Sequence, residues 1–262
     1  MNEEKAKNIV EILSKDWAER YQSEHGRGPT AAKSLLHNAQ AGLNFVLRNS
    51  FARAGGEQAG YGRIATQALG KSVRIIGAYD KFIQLTDAPE AVWSKFIQVC
   101  NQEGIGINQK INEGVVKGIM KLAQNSVHHN PFEHIGRRVV PNTVDAFLLL
   151  RNISGIGDKV ASFITRDIVT ILDVEDKVAA QNQILLQPID RWIHGVAILL
   201  WKELEGRAPP WLIALKVVTK CKEYECSPAR FNQGAWMYGS SVIKDTSRIS
   251  DIAFERVLNS ER

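Results

Sequence analysis

Cysteine is scarce in this 262-residue chain, and the three that occur, Cys100, Cys221 and Cys226, form no CxxC pair. An odd count argues against a disulfide scaffold, and three thiols are too few for a four-cysteine zinc or iron–sulfur site. Long apolar runs are also missing, because no stretch reaches the roughly 18 residues that indicate a membrane span. The charged start, Met-Asn-Glu-Glu-Lys, lacks the apolar core of a signal peptide. These absences predict a cytoplasmic protein with reduced thiols and no membrane contact.

Strand patterns are nearly absent as well. Apolar residues recur at helical spacing in about ten segments, and almost no segment alternates between apolar and polar residues as a half-buried strand does. The short apolar run from Val73 to Ala78 fits a strand or a helix. We therefore predict an all-α fold. Neither an internal repeat nor a low-complexity linker divides the chain, so we expect one domain over residues 1–262, built as two helical lobes.

The charge balance is mildly basic. Lysine and arginine number 33 against 28 acidic residues, which gives a net charge of +5 and an isoelectric point of about 9.1. This balance favours an acidic partner such as nucleic acid, but many proteins with the same balance bind none. The function therefore has to be argued from motifs.

The most informative stretch runs from Asn152 to Asp167 and contains two glycines, Gly155 and Gly157, on either side of one isoleucine. An apolar segment precedes the glycines and a helical pattern follows them, which predicts a helix, a tight turn and a second helix. Glycine at both turn positions permits a positive φ or the close approach of a phosphate. Asp158 is the predicted N-cap of the second helix, whose first N–H groups and positive dipole end suit an anion.

Lys159 lies one residue inside this second helix. A lysine there can serve as a phosphate clamp or as a nucleophile, and the residues alone leave both readings open. The glycine, isoleucine, glycine pattern is that of helix-hairpin-helix motifs, in which backbone amides, here near Gly155, Gly157 and Val160, hold a DNA phosphate. A monovalent cation commonly lies between the amides and the phosphate. We therefore predict that the turn contacts double-stranded DNA.

Two segments resemble the helix-hairpin-helix DNA glycosylases. One is Ile-Ser-Gly-Ile-Gly-Asp-Lys-Val-Ala, residues 153–161, within a hairpin motif over about 143–170. The other is Gln-Pro-Ile-Asp-Arg-Trp, residues 187–192, which is similar to the Val-Pro-Val-Asp segment that carries the catalytic aspartate of the family. The resemblance covers the central third of the chain. It implies the glycosylase fold, in which two helical lobes flank a central cleft.

A lysine just after the second hairpin glycine marks the bifunctional branch of this family, which combines glycosylase and lyase activities. The resemblance thus implies that Lys159 is the nucleophile, whose neutral amine attacks the sugar and forms a Schiff base. It also implies that Asp190 stabilises the positive charge of the oxocarbenium-like transition state. A phosphate contact is the alternative role for Lys159, and a helix cap is the alternative for Asp190.

Asp190 follows Lys159 by 31 residues, which is a longer separation than is usual in the family. The polar segment Asp173–Gln183 accounts for the extra length. A long separation is shared by the archaeal-type 8-oxoguanine glycosylases, which also lack the N-terminal β-rich domain of the larger eukaryotic enzymes. The cysteine count excludes the iron–sulfur cluster of the endonuclease-III branch. The resemblance is therefore nearest to the archaeal-type enzymes, and it implies an oxidised purine as substrate.

A flipped base needs flat side chains for stacking and polar groups for its edge. Phe163 follows Lys159 by one helical turn. In the archaeal-type enzymes an aromatic residue at that position stacks on the lesion base, and a C-terminal tryptophan, here Trp236, covers the other face. Gln40 is the candidate for reading the base edge and Trp93 for lining the pocket. The ordinary alternative is a core aromatic for the three rings and a solvated amide for Gln40.

Other polar residues carry weaker signals. Asn232 and Gln233 are further candidates for the base edge. His128, His129 and His134 resemble a metal cluster at first sight, but they lack a carboxylate-rich helical spacing, so a loop or DNA-facing role is favoured over a metal site. Further phosphate contacts are predicted at the basic residues Arg137, Arg138, Arg166 and Arg191.

The leading hypothesis is a bifunctional DNA glycosylase/AP lyase that flips out and excises an oxidised purine, 8-oxoguanine above all, and then cleaves the strand by β-elimination. It requires no metal and no cofactor apart from a monovalent cation at the hairpin. We expect a monomer that associates with the nucleoid through DNA. Three alternatives stay open: a defence-associated glycosylase acting on a modified phage base, a non-catalytic DNA-binding hairpin module, and a nuclease accessory protein. The last predicts a second hairpin motif, and the sequence contains none.

Overall fold

The computed structural model describes residues 1–52, 59–204 and 208–244. Within these ranges the chain is helical and contains no strand, so the all-α prediction is confirmed. Two sequence predictions lie outside the described residues: a helix end at Ala54-Gly55-Gly56, and a tail from Ile249 to Leu258 that is either a short helix or a frayed end. No helix in the described part is long and apolar enough to cross a membrane.

The α-helices form two compact units. In chain order they are α1 (Glu3–Ile12), α2 (Ala18–His25), α3 (Ala32–His37), α4 (Ala39–Asn49), α5 (Tyr61–Ile76), α6 (Tyr79–Ile83), α7 (Ala88–Gln102), α8 (Gln109–Gln124), α9 (Pro131–Val139), α10 (Thr143–Arg151), α11 (Asp158–Leu172), α12 (Arg191–Leu200), α13 (Pro210–Glu223) and α14 (Pro228–Tyr238). The terminal unit consists of Met1–Thr30 and the described residues from Val169 onward, and the middle unit is Ala31–Ile168. The division falls inside α11, the second helix of the predicted hairpin.

The terminal unit is built around α14. Apolar residues recur at helical spacing from Glu4 to Tyr21, which predicts one continuous helix, but a π-helical turn, Leu13–Trp17, separates α1 from α2. Helix α14 packs against this turn. The approach is very close, because a Cβ at Gly234 would lie 1.8 Å from the carbonyl oxygen of Leu13. Helices α12 and α13 also contact α14. Buried side chains of this unit, among them Trp201 and Phe231, form its apolar core.

The polar segment after α11 is tied to the start of α14. It forms 3₁₀ turns at Glu175–Lys177 and Ala180–Leu186. The Glu175 carboxylate accepts hydrogen bonds from the Ser227 hydroxyl and from the Ala229 N–H, the latter at 2.9 Å, which supplements the N-cap that Ser227 provides for α14. Burial raises the pKa of the Glu175 carboxyl, and the two hydrogen bonds oppose that shift only in part.

Replacing Glu175 by glutamine is expected to remove a pH dependence of stability. Because the folded carboxyl holds its proton more tightly than the unfolded one, its stabilisation is complete below the unfolded pKa of about 4.3 and is lost as the pH rises through the folded pKa. Glutamine does not ionise and keeps an acceptor for the Ala229 N–H. In urea unfolding, Glu175→Gln should gain stability relative to wild type from acidic to neutral pH, and parallel pH profiles would contradict the assignment. Glu175→Ala should lose about 1–3 kcal/mol, because it leaves buried donors unpaired.

The middle unit packs α4 against α5, α8 and α9, and α7 against α5 and α8. An aromatic cluster lies in its core, where Phe96 stacks on Phe51 and Trp93, and Tyr61 is tilted against Phe51 and Phe96. Aromatic pairs at these separations stabilise a core beyond their buried area.

Two helices of this unit differ from the sequence predictions. The apolar run that begins at Val73 forms the last part of α5, so the strand alternative is wrong. Val73 continues at helical spacing a buried face that includes Ile64, whereas Ile75 and Ile76 are exposed. Apolar residues recur at helical spacing from Leu35 to Leu47, which predicts one helix capped by Thr30, but the structure interrupts this helix at Asn38. The extended backbone of Asn38 ends α3, and its side chain caps α4 by accepting a hydrogen bond from the Ala41 N–H at 3.0 Å.

Candidate functional site

The turn between α10 and α11 lies against α8. Two glycines of α8 make room for it: a Cβ at Gly118 would lie 2.4 Å from Cγ2 of Ile153, and a Cβ at Gly114 would lie 2.8 Å from the carbonyl oxygen of Ser154. Because these glycines are four residues apart, they share one face of the helix. The turn is therefore seated on a helix of the middle unit and does not project freely.

Gly155 and Gly157 are glycines for different reasons. Gly155 has a φ of +88°, and a Cβ there would lie 2.8 Å from both the Ile111 carbonyl oxygen and Cγ2 of Val115. Gly157 is exposed, has no positive φ, and has no described atom within 4 Å of the place where its Cβ would lie. The fold therefore requires glycine at 155, whereas at 157 glycine leaves an open backbone that a ligand can approach.

The N-cap of α11 is Gly157, because its carbonyl accepts the first helical hydrogen bond, from the Ala161 N–H at 3.0 Å. The prediction that Asp158 is the N-cap is thus wrong by one residue. Asp158 is the first helical residue, and its carboxylate pairs with Arg151 at the end of α10. The ion pair links the two helices of the hairpin, and an acidic residue in the first turn suits the positive end of the helix.

Lys159 lies in the first turn of α11 and is partly exposed. Within the described ranges the N–H groups of Asp158, Lys159 and Val160 have no acceptor, as expected for the start of an α-helix. Among the same residues no carboxylate pairs with the Lys159 amine. A cation at the positive end of a helix is unfavourable by about 0.3–1 kcal/mol. An ammonium at this position therefore does not stabilise the fold.

Phe163 lies one turn after Lys159 on α11 and is 9 % exposed. The Arg166 guanidinium lies over its ring, 4.8 Å from the centroid, and pairs with the Asp167 carboxylate at 2.7 Å. The side chains of Arg166 and Asp167 are 1 % and 0 % exposed, so the prediction that Arg166 contacts DNA phosphate is wrong. From Val160 to its last turn α11 is buried on every face. The Arg166 guanidinium, which the sequence pattern placed at the surface, is therefore enclosed.

Asp190 is the N-cap of α12. Its Oδ1 accepts hydrogen bonds from the N–H groups of Trp192 and Ile193, at 2.9 Å and 3.1 Å. Its Oδ2 has no hydrogen-bond partner in the part of the chain that the structure describes. Capping therefore uses one carboxylate oxygen and leaves the other for a ligand. The next residue, Arg191, is exposed, with its guanidinium 5.0 Å from the Trp192 ring centroid.

Trp236 is a partly exposed residue of α14. Its ring makes edge contacts with Tyr21 and His25, at centroid separations of 5.8 Å and 5.6 Å. Asn232 and Gln233 of the same helix are both 0 % exposed and are hydrogen-bonded inside the terminal unit. Of the three C-terminal candidates, Trp236 is accessible to a ligand, whereas the two amides serve the interior of the unit.

Trp93 and Gln40 belong to the middle unit. Trp93 is 7 % exposed and stacks on Phe96 at a centroid separation of 5.4 Å. Gln40 lies in the first turn of α4 and is partly exposed. Trp93 thus has the surroundings of a core aromatic, and Gln40 keeps an accessible amide.

The histidines after α8 are engaged in local structure. His128 and Arg137 both contact the Glu133 carboxylate, at 3.1 Å and 3.0 Å. His134 is buried, and its burial together with the nearby Arg138 lowers its pKa. Within the described ranges, no three His, Cys, Asp or Glu side chains are grouped so that they could hold a metal ion.

The predicted site residues divide between the two units. Those of the middle unit are Lys159, Phe163, Gly155, Gly157, Val160, Gln40 and Trp93, and those of the terminal unit are Asp190, Arg191 and Trp236. The sequence reasoning missed the seat of the hairpin on α8, although Gly114 and Gly118, four residues apart in a helical pattern, were its signal. Compared with protein-family models, curated proteins and solved structures, the chain matches none.

Proposed function

We propose that this chain is a bifunctional DNA glycosylase/AP lyase that removes an oxidised purine, 8-oxoguanine in the first instance, from double-stranded DNA. The observation that carries the proposal is made at the first turn of α11, which contains Lys159. The backbone N–H groups of this turn, from Asp158 to Val160, have no acceptor in the described residues. Such amides suit a DNA phosphate. With the phosphate held by the backbone, the Lys159 amine is available for chemistry.

The proposed reaction uses this amine as the nucleophile. The Lys159 nitrogen attacks C1′ of the flipped nucleotide while the bond from C1′ to the base breaks, and the base leaves with the electron pair of that bond and gains a proton. Opening of the sugar ring converts the adduct into a Schiff base. Loss of a C2′ proton then expels the 3′ phosphate by β-elimination. Asp190 is proposed to stabilise the positive charge that develops on the sugar, a role compatible with its Oδ2, to which no described residue donates a hydrogen bond.

The proposed stacking partners of the base are Phe163 and Trp236. Phe163 follows the nucleophile by one helical turn, and one side of its ring is covered by Arg166. Trp236 is partly exposed. Gln40 stays the proposed reader of the base edge, whereas Trp93 is less suited to the pocket because it stacks on Phe96 in the core.

A panel of duplexes tests the proposal and its substrate together. Wild-type protein is incubated with duplexes that carry 8-oxoguanine, an abasic site or a modified phage-type base, in the presence of sodium borohydride, which reduces a Schiff base to a stable amine. A covalent adduct with the 8-oxoguanine duplex is the expected result. Adducts with abasic and phage-type duplexes alone would keep the lyase and change the substrate. No adduct with any duplex would leave only a DNA-binding module.

Asp190→Asn separates capping from catalysis. Asparagine caps helices about as well as aspartate, so the free energy of unfolding should change by less than about 0.5 kcal/mol. The negative charge is lost, so single-turnover base excision should fall by about 100- to 1,000-fold. Asp190→Ala, which also removes the cap, should lose a further ~1 kcal/mol of stability. Unchanged excision by Asp190→Asn would restrict Asp190 to the cap.

A further inference from the structure

The turn that leads into Asp190 is held by a buried amide of α14. Nδ2 of Asn232 donates hydrogen bonds to Oε1 of Gln187 at 3.2 Å and to the carbonyl oxygen of Pro188 at 3.5 Å. Asn232 is 0 % and Gln187 is 3 % exposed. Solvent water therefore cannot replace the hydrogen bonds that Asn232 donates. Because proline has no N–H, its carbonyl is the one backbone group by which Pro188 can be hydrogen-bonded.

Asp190 lies two residues after this anchored carbonyl. On its other side the residue is fixed by α12, since Oδ1 accepts hydrogen bonds from the Trp192 and Ile193 N–H groups. Its own backbone is extended, with φ −112° and ψ −174°, and one residue, Ile189, separates it from the Pro188 carbonyl. A shift of the Pro188 carbonyl therefore reaches Asp190 through the backbone of a single intervening residue.

We infer that Asn232 is a positioning residue that sets the location of the Asp190 carboxylate. The inference rests on the proposed function of Asp190. The chemistry of the side chain fits this role, because an amide nitrogen has two N–H groups and the turn presents two acceptors. An aliphatic residue would fill the same buried space but could not donate hydrogen bonds to the turn.

A double-mutant cycle between Asn232 and Asp190 tests the inference. Asn232→Ala should lower single-turnover base excision about 10- to 100-fold in the wild-type background. In the Asp190→Asn background it should change excision by less than about twofold, because a residue that acts through a carboxylate has nothing left to position. The matched control is Gln22→Leu, which removes the hydrogen bond of 3.0 Å to Gln233, the neighbour of Asn232 on α14, and should leave excision unchanged.

A second measurement does not depend on activity. Hydrogen exchange of the Trp192 and Ile193 amides, which Asp190 caps, should become faster in Asn232→Ala and not in Gln22→Leu. If Asn232→Ala does not fold, Gln187→Leu removes the acceptor of the shorter hydrogen bond and should give the same pattern in both measurements. Equal losses of excision in the two backgrounds, or unchanged exchange at the capped amides, would overturn the inference. A wild type without any excision would instead overturn the proposed function, and the exchange result would still decide the role of Asn232.

Discussion

Lys159→Gln should abolish the borohydride adduct and strand cleavage, with a fall of about a thousandfold or more in single-turnover lyase activity. A loss of that order is typical when a nucleophile is removed. The fold should be unaffected, because the residue is partly exposed and no carboxylate in the described residues pairs with its amine. A change below about 0.5 kcal/mol in the free energy of unfolding is therefore expected.

The same variant distinguishes a nucleophile from a phosphate clamp. If Lys159 only neutralised a phosphate, Lys159→Gln would weaken DNA binding and lower the salt dependence of affinity by about one counterion, and activity at saturating protein would survive. The nucleophile account predicts the reverse, with binding retained and chemistry lost. Lys177→Gln, at an exposed lysine of the 3₁₀ turn after α11, is the matched control and should alter neither property.

Alanine should destabilise the protein much more at Gly155 than at Gly157. Gly155→Ala places a Cβ at a φ of +88° and 2.8 Å from the Ile111 carbonyl oxygen, so it should destabilise the protein by about 2–5 kcal/mol. Gly157→Ala places a methyl group where no described atom lies within 4 Å, so the expected cost is only that of alanine in place of glycine at an N-cap, about 1 kcal/mol or less. Chemical denaturation of both variants measures this difference directly.

The affinity of Gly157→Ala for duplex DNA tests whether the turn binds a phosphate. If the open backbone at Gly157 receives a phosphate, the added methyl group blocks that approach, and Gly157→Ala should weaken duplex binding by about 10- to 100-fold, the value of a hydrogen bond to a charged group. The loss should occur with undamaged and damaged duplexes alike, because phosphate contacts carry no base information. Wild-type affinity in a stably folded Gly157→Ala protein would contradict phosphate binding at this turn.

The fold class was predictable because helical spacing of apolar residues is a local property of the chain. The π-helical turn at Leu13–Trp17 was not, since it depends on the close approach of Gly234 to the carbonyl oxygen of Leu13, from a distant part of the sequence. The interruption at Asn38 was missed for a different reason. Its capping side chain was visible, but an apolar pattern on both sides outweighed it.

In the candidate site, too, features that depend on neighbouring residues were predictable, whereas features that depend on residues far apart in the sequence were not. The hairpin turn and the capping role open to Asp190 are coded within a few residues, and both are present in the structure. The burial of Arg166 beside Asp167 depends on what surrounds α11, so a pattern that places charges at the surface assigned it wrongly. The hydrogen bond from Asn232 to the Pro188 carbonyl joins residues 44 positions apart. Helical and strand spacings relate only residues a few positions apart, so they could not predict it.

Identification of the trapped residue tests the central claim most directly. Wild-type protein is reduced with sodium borohydride on an 8-oxoguanine duplex and on an abasic duplex, the nucleic acid is digested, and the modified peptide is sequenced by mass spectrometry. The account predicts one sugar remnant per chain, attached to Nζ of Lys159. Attachment to a different lysine, or no attachment with either duplex, would contradict it.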